Sequence, residues 1–237
     1  MAGNVIAFRQ FQPGGSLFGD YWVGLQYVRL FIHDFTFWQV FFNTLILGGA
    51  TLIFTFPLPI ILALLLNEIR AAPFKRFVQS VSYLPHFLSI VVVAAIILQF
   101  VALGGPVNQV LQALGHKGIP FIQQPFWFRP IYVISEAWQT TGWGTILYLA
   151  ALTTVDPNLY EAARIDGANR FQEAWHVTLP SMLPTTVTLL VLGIGTFLQV
   201  GFEKVLLLQN PLTYSTADVI TTYLYRLGIV SNSFSYA

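Results

Sequence analysis

Between Trp38 and Leu66 the chain carries no charged residue. A run of this length exceeds the roughly 20 apolar residues that cross a bilayer as a helix. In hydrocarbon every backbone N–H and C=O must be paired within the protein, so such a run folds as a helix. Pro57 and Pro59 lie near its far end, and each removes a backbone donor, so a kink is expected there. Three more runs follow: His86–Leu103, Ile131–Leu152 with Glu136 near its start, and Met182–Val200, where Gly193 and Gly195 offer close helix contact. The expected fold is an all-α polytopic membrane protein, one transmembrane domain over residues 1–237 with four complete spans. Composition agrees, with 55% hydrophobic and only 9% charged residues and a mean hydropathy of +0.66. A soluble domain carries far more surface charge.

Other classes fall away on simple grounds. The net charge of +1 implies neither nucleic acid nor an acidic partner. The absence of cysteine excludes disulfides, thiolate catalysis and cysteine metal sites. His33, His86, His116 and His176 are scattered without ligand spacing, so no metal or other cofactor is expected. Lys75, Lys117 and Lys204 have no phosphate-loop frame, so this chain is not expected to hydrolyse ATP. Aromatic residues make up 16%, as suits rings at membrane interfaces and in helix packing.

The connections between the apolar runs differ in kind. Asn67–Pro85 clusters Arg70, Lys75 and Arg76. Gly104–Pro130 is rich in Gly, Pro and aromatics, and Gly201–Ala237 is mixed, with room for a short interfacial helix. The tally of Lys and Arg on the two sides does not decide the orientation. One connection is different again. "VDPNLYEAARIDGANRFQEAWHVTLP", Val155–Pro180, gathers Asp156, Glu161, Arg164, Asp166, Arg170 and Glu173 between two apolar runs. Asp156-Pro157 is a strong helix start, and Gly167 can take the left-handed turn that ends a helix. A short helix over Pro157–Asp166 is therefore predicted. Asn169 and Gln172 have the spacing of a capping box opening a second helix. Leu179-Pro180 is expected to close that one, because Pro disfavours helix in the residue before it. Leu159, Ala162 and Ala163 share a face of the first helix, and two alanines there would let another surface come close.

At this point the sequence resembles a known family. Glu161-Ala162-Ala163, Gly167, Val177 and Leu179-Pro180 match the EAA signature of ABC importer permeases, E-A-A-x3-G-x9-I-x-L-P, with Val177 in place of Ile as the one departure. The resemblance implies a permease-type helical bundle with six spans. It implies a cytoplasmic coupling loop, 156–180, that docks on a separate ATP-binding subunit. The residues it assigns to coupling are Glu161, Ala162, Ala163, Asp166, Gly167, Val177, Leu179 and Pro180. It also implies a second homologous permease subunit, an extracellular or lipoprotein solute-binding protein, surrounding membrane lipid, and a place in a bacterial plasma membrane. Phe74–Ser89 and Phe202–Ile229 are similar to the subgroup associated with oligosaccharide and polysaccharide-fragment uptake. Against the family pattern the first and last spans are expected to be missing. Only "VIAF" would remain of the first and "SNSFSYA" would stop at the last, and a chain without them is expected to insert and assemble poorly.

Candidate path residues lie in the third run. Glu136 is an ionisable group inside a span, which is a functional candidate by default. Trp138, Gln139, Trp143 and Tyr148, with Thr140 and Thr141, mix flat apolar faces with hydrogen-bonding groups, as sugars would require. For any single one of them, helix packing is the better explanation. Glu203 falls where the fourth run meets the outer side, where water can solvate it. The competing reading is an ion-coupled secondary transporter or channel, which calls for paired intramembrane carboxylates or inverted repeats. Only Glu136 lies inside a span, and no inverted repeat is visible.

Overall fold

The structure, a computed structural model, describes residues 8–10 and 21–233. The stretch read as a remnant of a first span lies almost wholly outside the described residues, as do residues 234–237. The described chain is helical and contains no strand. Its helices are α1 (Gln26–His33), α2 (Phe35–Thr55), α3 (Pro57–Glu68), α4 (Ala72–Tyr83), α5 (Ile90–Val101), α6 (Pro106–Ala113), α7 (Pro125–Leu152), α8 (Pro157–Ile165), α9 (Arg170–Glu173), α10 (Leu179–Thr196), α11 (Phe202–Leu208), α12 (Tyr214–Ala217) and α13 (Ile220–Tyr225).

The predicted break in the first run is present: α2 ends at Thr55, and α3 restarts with Pro57 in its first turn, where the missing N–H costs nothing. Three helical stretches have the length and hydropathy to cross a membrane: Phe35–Glu68, Ile90–Ala113 and Arg170–Thr196. The run read as the third span lies in α7, which at 28 residues is also long enough but less apolar. Glu136, Gln139, Thr140 and Thr141 are the reason. Within the three apolar windows only 11%, 17% and 11% of residues are buried inside the chain. Apolar surface on that scale requires lipid or other subunits to cover it.

Several boundaries differ from the sequence reading. The second run starts as a helix at Ile90, not His86; Leu84–Phe87 is a 3₁₀ turn with Pro85 at its head. Pro130 does not end a loop but sits inside α7, which begins at Pro125 and forgoes one hydrogen bond there. Leu179-Pro180 does not close a helix either. The chain continues helically from Arg170 to Thr196 through a π-helical turn at Ala174–Thr178. Widening the turn just ahead of Pro180 moves aside the carbonyl that its ring would strike. The fourth span ends at Thr196, short of Val200. A Cβ on Gly193 would lie 3.2 Å from Leu52 Cδ1, whereas one on Gly195 would meet nothing within 4 Å, so only the first of that pair is at a helix contact.

The chain forms two compact units. One comprises Met1–Gly48, Leu98–Arg129 and Leu198–Ala237; the other Gly49–Ile97 and Pro130–Phe197. In the first, loops are held by buried and half-buried polar side chains. Asn108, fully buried, donates to the carbonyls of Ala102 and Ile119, 2.9 Å each, and accepts from Ile119 N at 2.7 Å. Asn210 donates to Ile122 O at 2.7 Å, and Thr216 Oγ1 donates to Pro125 O at 2.6 Å. Thr44 Oγ1 accepts from Ile220 N at 3.0 Å. In the second, Ala63, Tyr148 and Met182 form a core flanked by Ile60, Leu64, Leu149, Leu152 and Leu189. The backbone of α7 approaches the end of α4 so closely that a Cβ on Gly142 would fall 1.9 Å from Ser82 O. Only glycine fits there.

Candidate functional site

The polar block between α7 and α10 belongs to the second unit, and its local structure follows from its sequence. Asp156 caps α8, its Oδ1 accepting from Asn158 N at 2.9 Å, with Pro157 in the first turn. Gly167 has φ +83°, the left-handed conformation predicted for it. The N–H of Gly167 donates to Arg164 O at 3.0 Å, and that of Ala168 to Ala163 O at 2.9 Å. These two bonds are the Schellman pattern that satisfies the last carbonyls of a helix. Next comes the capping box: Asn169 Oδ1 accepts from Gln172 N at 3.0 Å, and Gln172 Oε1 accepts from Asn169 N at 2.8 Å.

Longer contacts then fix the angle between the two helices. Arg164 Nε donates to Glu173 Oε1 at 2.9 Å and its Nη2 to Oε2 at 3.4 Å. Glu173 is buried, and the carboxylate holds the Arg164 guanidinium above its ordinary pKa through hydrogen bond and charge. Tyr160 Oη and Thr178 Oγ1 are 3.2 Å apart, tying α8 to the π-helical turn. Arg170 pairs with Glu68 at the end of α3 at 3.1 Å. That pair is half exposed and contributes orientation more than stability.

On this frame Glu161, Ala162, Asp166 and Gly167 are exposed, and Ala163 is half-buried. The expected small-residue face is therefore only partly available: Leu159 and Ala162 face outward, while Ala163 turns toward the block. Val177 and Leu179 are half-buried and Pro180 is exposed, all at the entry to α10. Of the large apolar residues around them, the sequence points to Leu159 but not to Ile165, Phe171 or Trp175. Ile165 is 87%, Phe171 76%, Trp175 61% and Leu159 49% exposed. The Phe171 and Trp175 rings lie stacked, 6.4 Å apart and 15° from parallel. Four large apolar side chains in the most polar stretch of the chain are the signal in the sequence, and the helical stripe through Leu159, Ala162 and Ala163 contains only one of them.

The residues singled out in α7 do not form one group. Glu136, Gln139 and Trp143 follow at i, i+3 and i+7 and so share a helix face. Trp138 lies on another face. Trp143 is 45% exposed and stacks on His86, 4.5 Å and 3° from parallel. Tyr148 is 2% exposed, in the core with Ala63 and Met182. Among the described residues no group of His, Cys, Asp or Glu could hold a metal ion.

The family described as "Binding-protein-dependent transport system inner membrane component" matches residues 55–236. The chain belongs to that family. As an inner membrane component of this kind it is 46% identical over 241 residues to the polygalacturonan/rhamnogalacturonan transport system permease protein YteP of Bacillus subtilis (strain 168), across 100% of this chain and 74% of that protein. It is 44% identical to protein LplB of the same organism, over 100% of this chain and 75% of that one. Among solved structures it is similar to a bacterial ABC transporter involved in import of the acidic polysaccharide alginate, with TM-score 0.91 and 42% identity, over 99% of this chain and 79% of that one. A second structure, of a bacterial alginate ABC transporter in complex with an alginate pentasaccharide-bound periplasmic protein, matches with TM-score 0.87 and 43% identity, over 90% and 74% of the two chains. The resemblance carried by the EAA signature holds, and this inner membrane component is a transport permease. The ion-coupled reading gives way, since transport in this family depends on a binding protein.

Proposed function

We propose that this permease forms half of the path of an ATP-driven importer for acidic polysaccharide fragments, and that its 156–180 loop docks on a separate subunit that hydrolyses ATP. One observation carries the docking: a polar block clamped by the Arg164–Glu173 ion pair presents Leu159, Ile165, Phe171 and Trp175 to the outside. Large apolar side chains held in fixed positions on a polar surface are the features of a protein interface core. Glu161 and Asp166 form the polar rim of that contact, and Ala162 lets the partner surface come close. Ala163 and Gly167 shape the turn, and Val177, Leu179 and Pro180 transmit a push on the loop into α10. A second homologous permease completes the path wall and covers part of the apolar surface. Along α7 the face bearing Glu136, Gln139 and Trp143 is the proposed lining, with Trp143 as a flat surface for a sugar ring.

Two relatives above 40% identity bear on the cargo. One is named for polygalacturonan and rhamnogalacturonan, the other for alginate, and these polymers share uronate carboxylates. A permease named for arabinooligosaccharides is only 30% identical. The test is purification of the tagged chain, co-expressed with its neighbouring subunits, from membranes. An ATP-binding subunit should co-purify, and the double variant Ile165→Asp, Phe171→Asp should lose it while keeping the second permease. Retention of the ATP-binding subunit by that variant would overturn the docking assignment.

A further inference from the structure

In the first unit, Arg129 stands at the start of α7 with one hydrogen-bond partner among the described residues. Its Nη2 donates to Asn43 Oδ1 at 2.8 Å. Its buried Nε has no partner among the described residues. Among the described residues no carboxylate pairs with it, in contrast to Arg164, Arg170 and Arg226, which pair with Glu173, Glu68 and Asp218. Asn43 is itself 3% exposed and is held by two bonds from its Nδ2, to Ser215 O at 3.1 Å and Asp218 O at 3.0 Å. Those bonds fix the amide with its oxygen toward Arg129. The guanidinium is thus aimed by a neutral group that orients it without neutralising its charge. A half-buried cation without a counter-ion is costly, and an anion brought to it from elsewhere would offset that cost. Beside it on α7, Phe126 is 73% exposed, and Trp127 meets Phe121 edge-on at 4.9 Å. A guanidinium beside an exposed aromatic ring offers what a uronate residue needs: a planar donor fork for the carboxylate and a flat surface for the sugar ring.

We infer that Arg129 is a specificity-determining residue that binds a carboxylate of the transported polysaccharide, with Asn43 as its positioning residue. The inference rests on the acidic-cargo reading above. Donation from Nη1, which makes no bond among the described residues, and from Nη2 alongside Asn43 would provide the contact.

The complex of this permease with its partner permease and ATP-binding subunit, without binding protein, would be titrated calorimetrically with trigalacturonate and with its fully methyl-esterified, uncharged form. Wild type should prefer the acid by roughly tenfold, as one charge-assisted contact allows. Arg129→Gln should bind both forms alike, and Arg129→Lys should keep most of the preference. Co-purification of all subunits with each variant controls for folding. Arg129→Gln retaining the acid preference would overturn the inference while leaving the acidic cargo standing. A wild-type complex with no preference, or binding neither form, would overturn the acidic-cargo reading and the inference together. Equal loss of both forms in Arg129→Gln and Arg129→Lys would assign Arg129 a purely structural role.

Discussion

Arg164 and Glu173 meet through two bonds, 2.9 and 3.4 Å, across the turn made by Gly167. The arginine is mostly exposed and the carboxylate mostly buried, with side-chain exposures of 64% and 9%. The two partners are therefore not equivalent. Removing the arginine leaves a buried negative charge unpaired, whereas Glu173→Gln keeps the shape and most of the hydrogen bonding. Arg164→Ala should weaken retention of the ATP-binding subunit in pull-down far more than Glu173→Gln does. Equal effects would mean the pair does not orient the loop.

Gly167 has φ +83° and nothing within 4 Å of a Cβ built on it. The Cβ of a valine there would meet no described neighbour, so the cost comes mainly from the left-handed conformation, about 1–2 kcal/mol. Gly167→Val should lower the thermal midpoint of the purified complex and reduce uptake, and Gly167→Asn should restore most of both, because asparagine tolerates the left-handed region. An unchanged midpoint in the valine variant would contradict this.

Gly142 presents the opposite case. Its φ is ordinary, but a Cβ would lie 1.9 Å from Ser82 O, and backbone cannot swing aside as a side chain does. Gly142→Ala should destabilise the chain by about 1–3 kcal/mol through forced separation of α4 and α7. Gly195→Ala, with open space around it, should be neutral in the same assay.

The chain contains no cysteine, so single cysteines report topology without background. Ser80, Gln112, Gln172 and Ser215 are all exposed. In intact cells an impermeant thiol reagent should label cysteines at 112 and 215 and leave those at 80 and 172 until the membrane is permeabilised. Labelling of 172 without 112 would reverse the orientation.

Much of this protein is determined by short-range chemistry that the sequence displays directly. Charge-free runs become helices because the bilayer leaves backbone groups no other partner. The Asp156-Pro157 cap, the Gly167 turn and the Asn169–Gln172 box each depend on residues within a few positions of one another, so each was legible and is present. The EAA signature identified the family for the same reason, as a local pattern. What the tertiary structure alone decided involves distance along the chain. Pro180 reads as a stop from its neighbours, yet a π-helical turn lets the helix continue into the membrane segment. Glycines look alike in sequence, but only the position of Ser82 makes Gly142 irreplaceable, and only Leu52 separates Gly193 from Gly195. The pairing of Arg164 with Glu173 and the isolation of Arg129 beside Asn43 follow from where folding places side chains that the sequence keeps apart. Exposure of Ile165 and Phe171 is likewise a property of the assembled block, because which face of a short helix meets water is set by what its other face packs against.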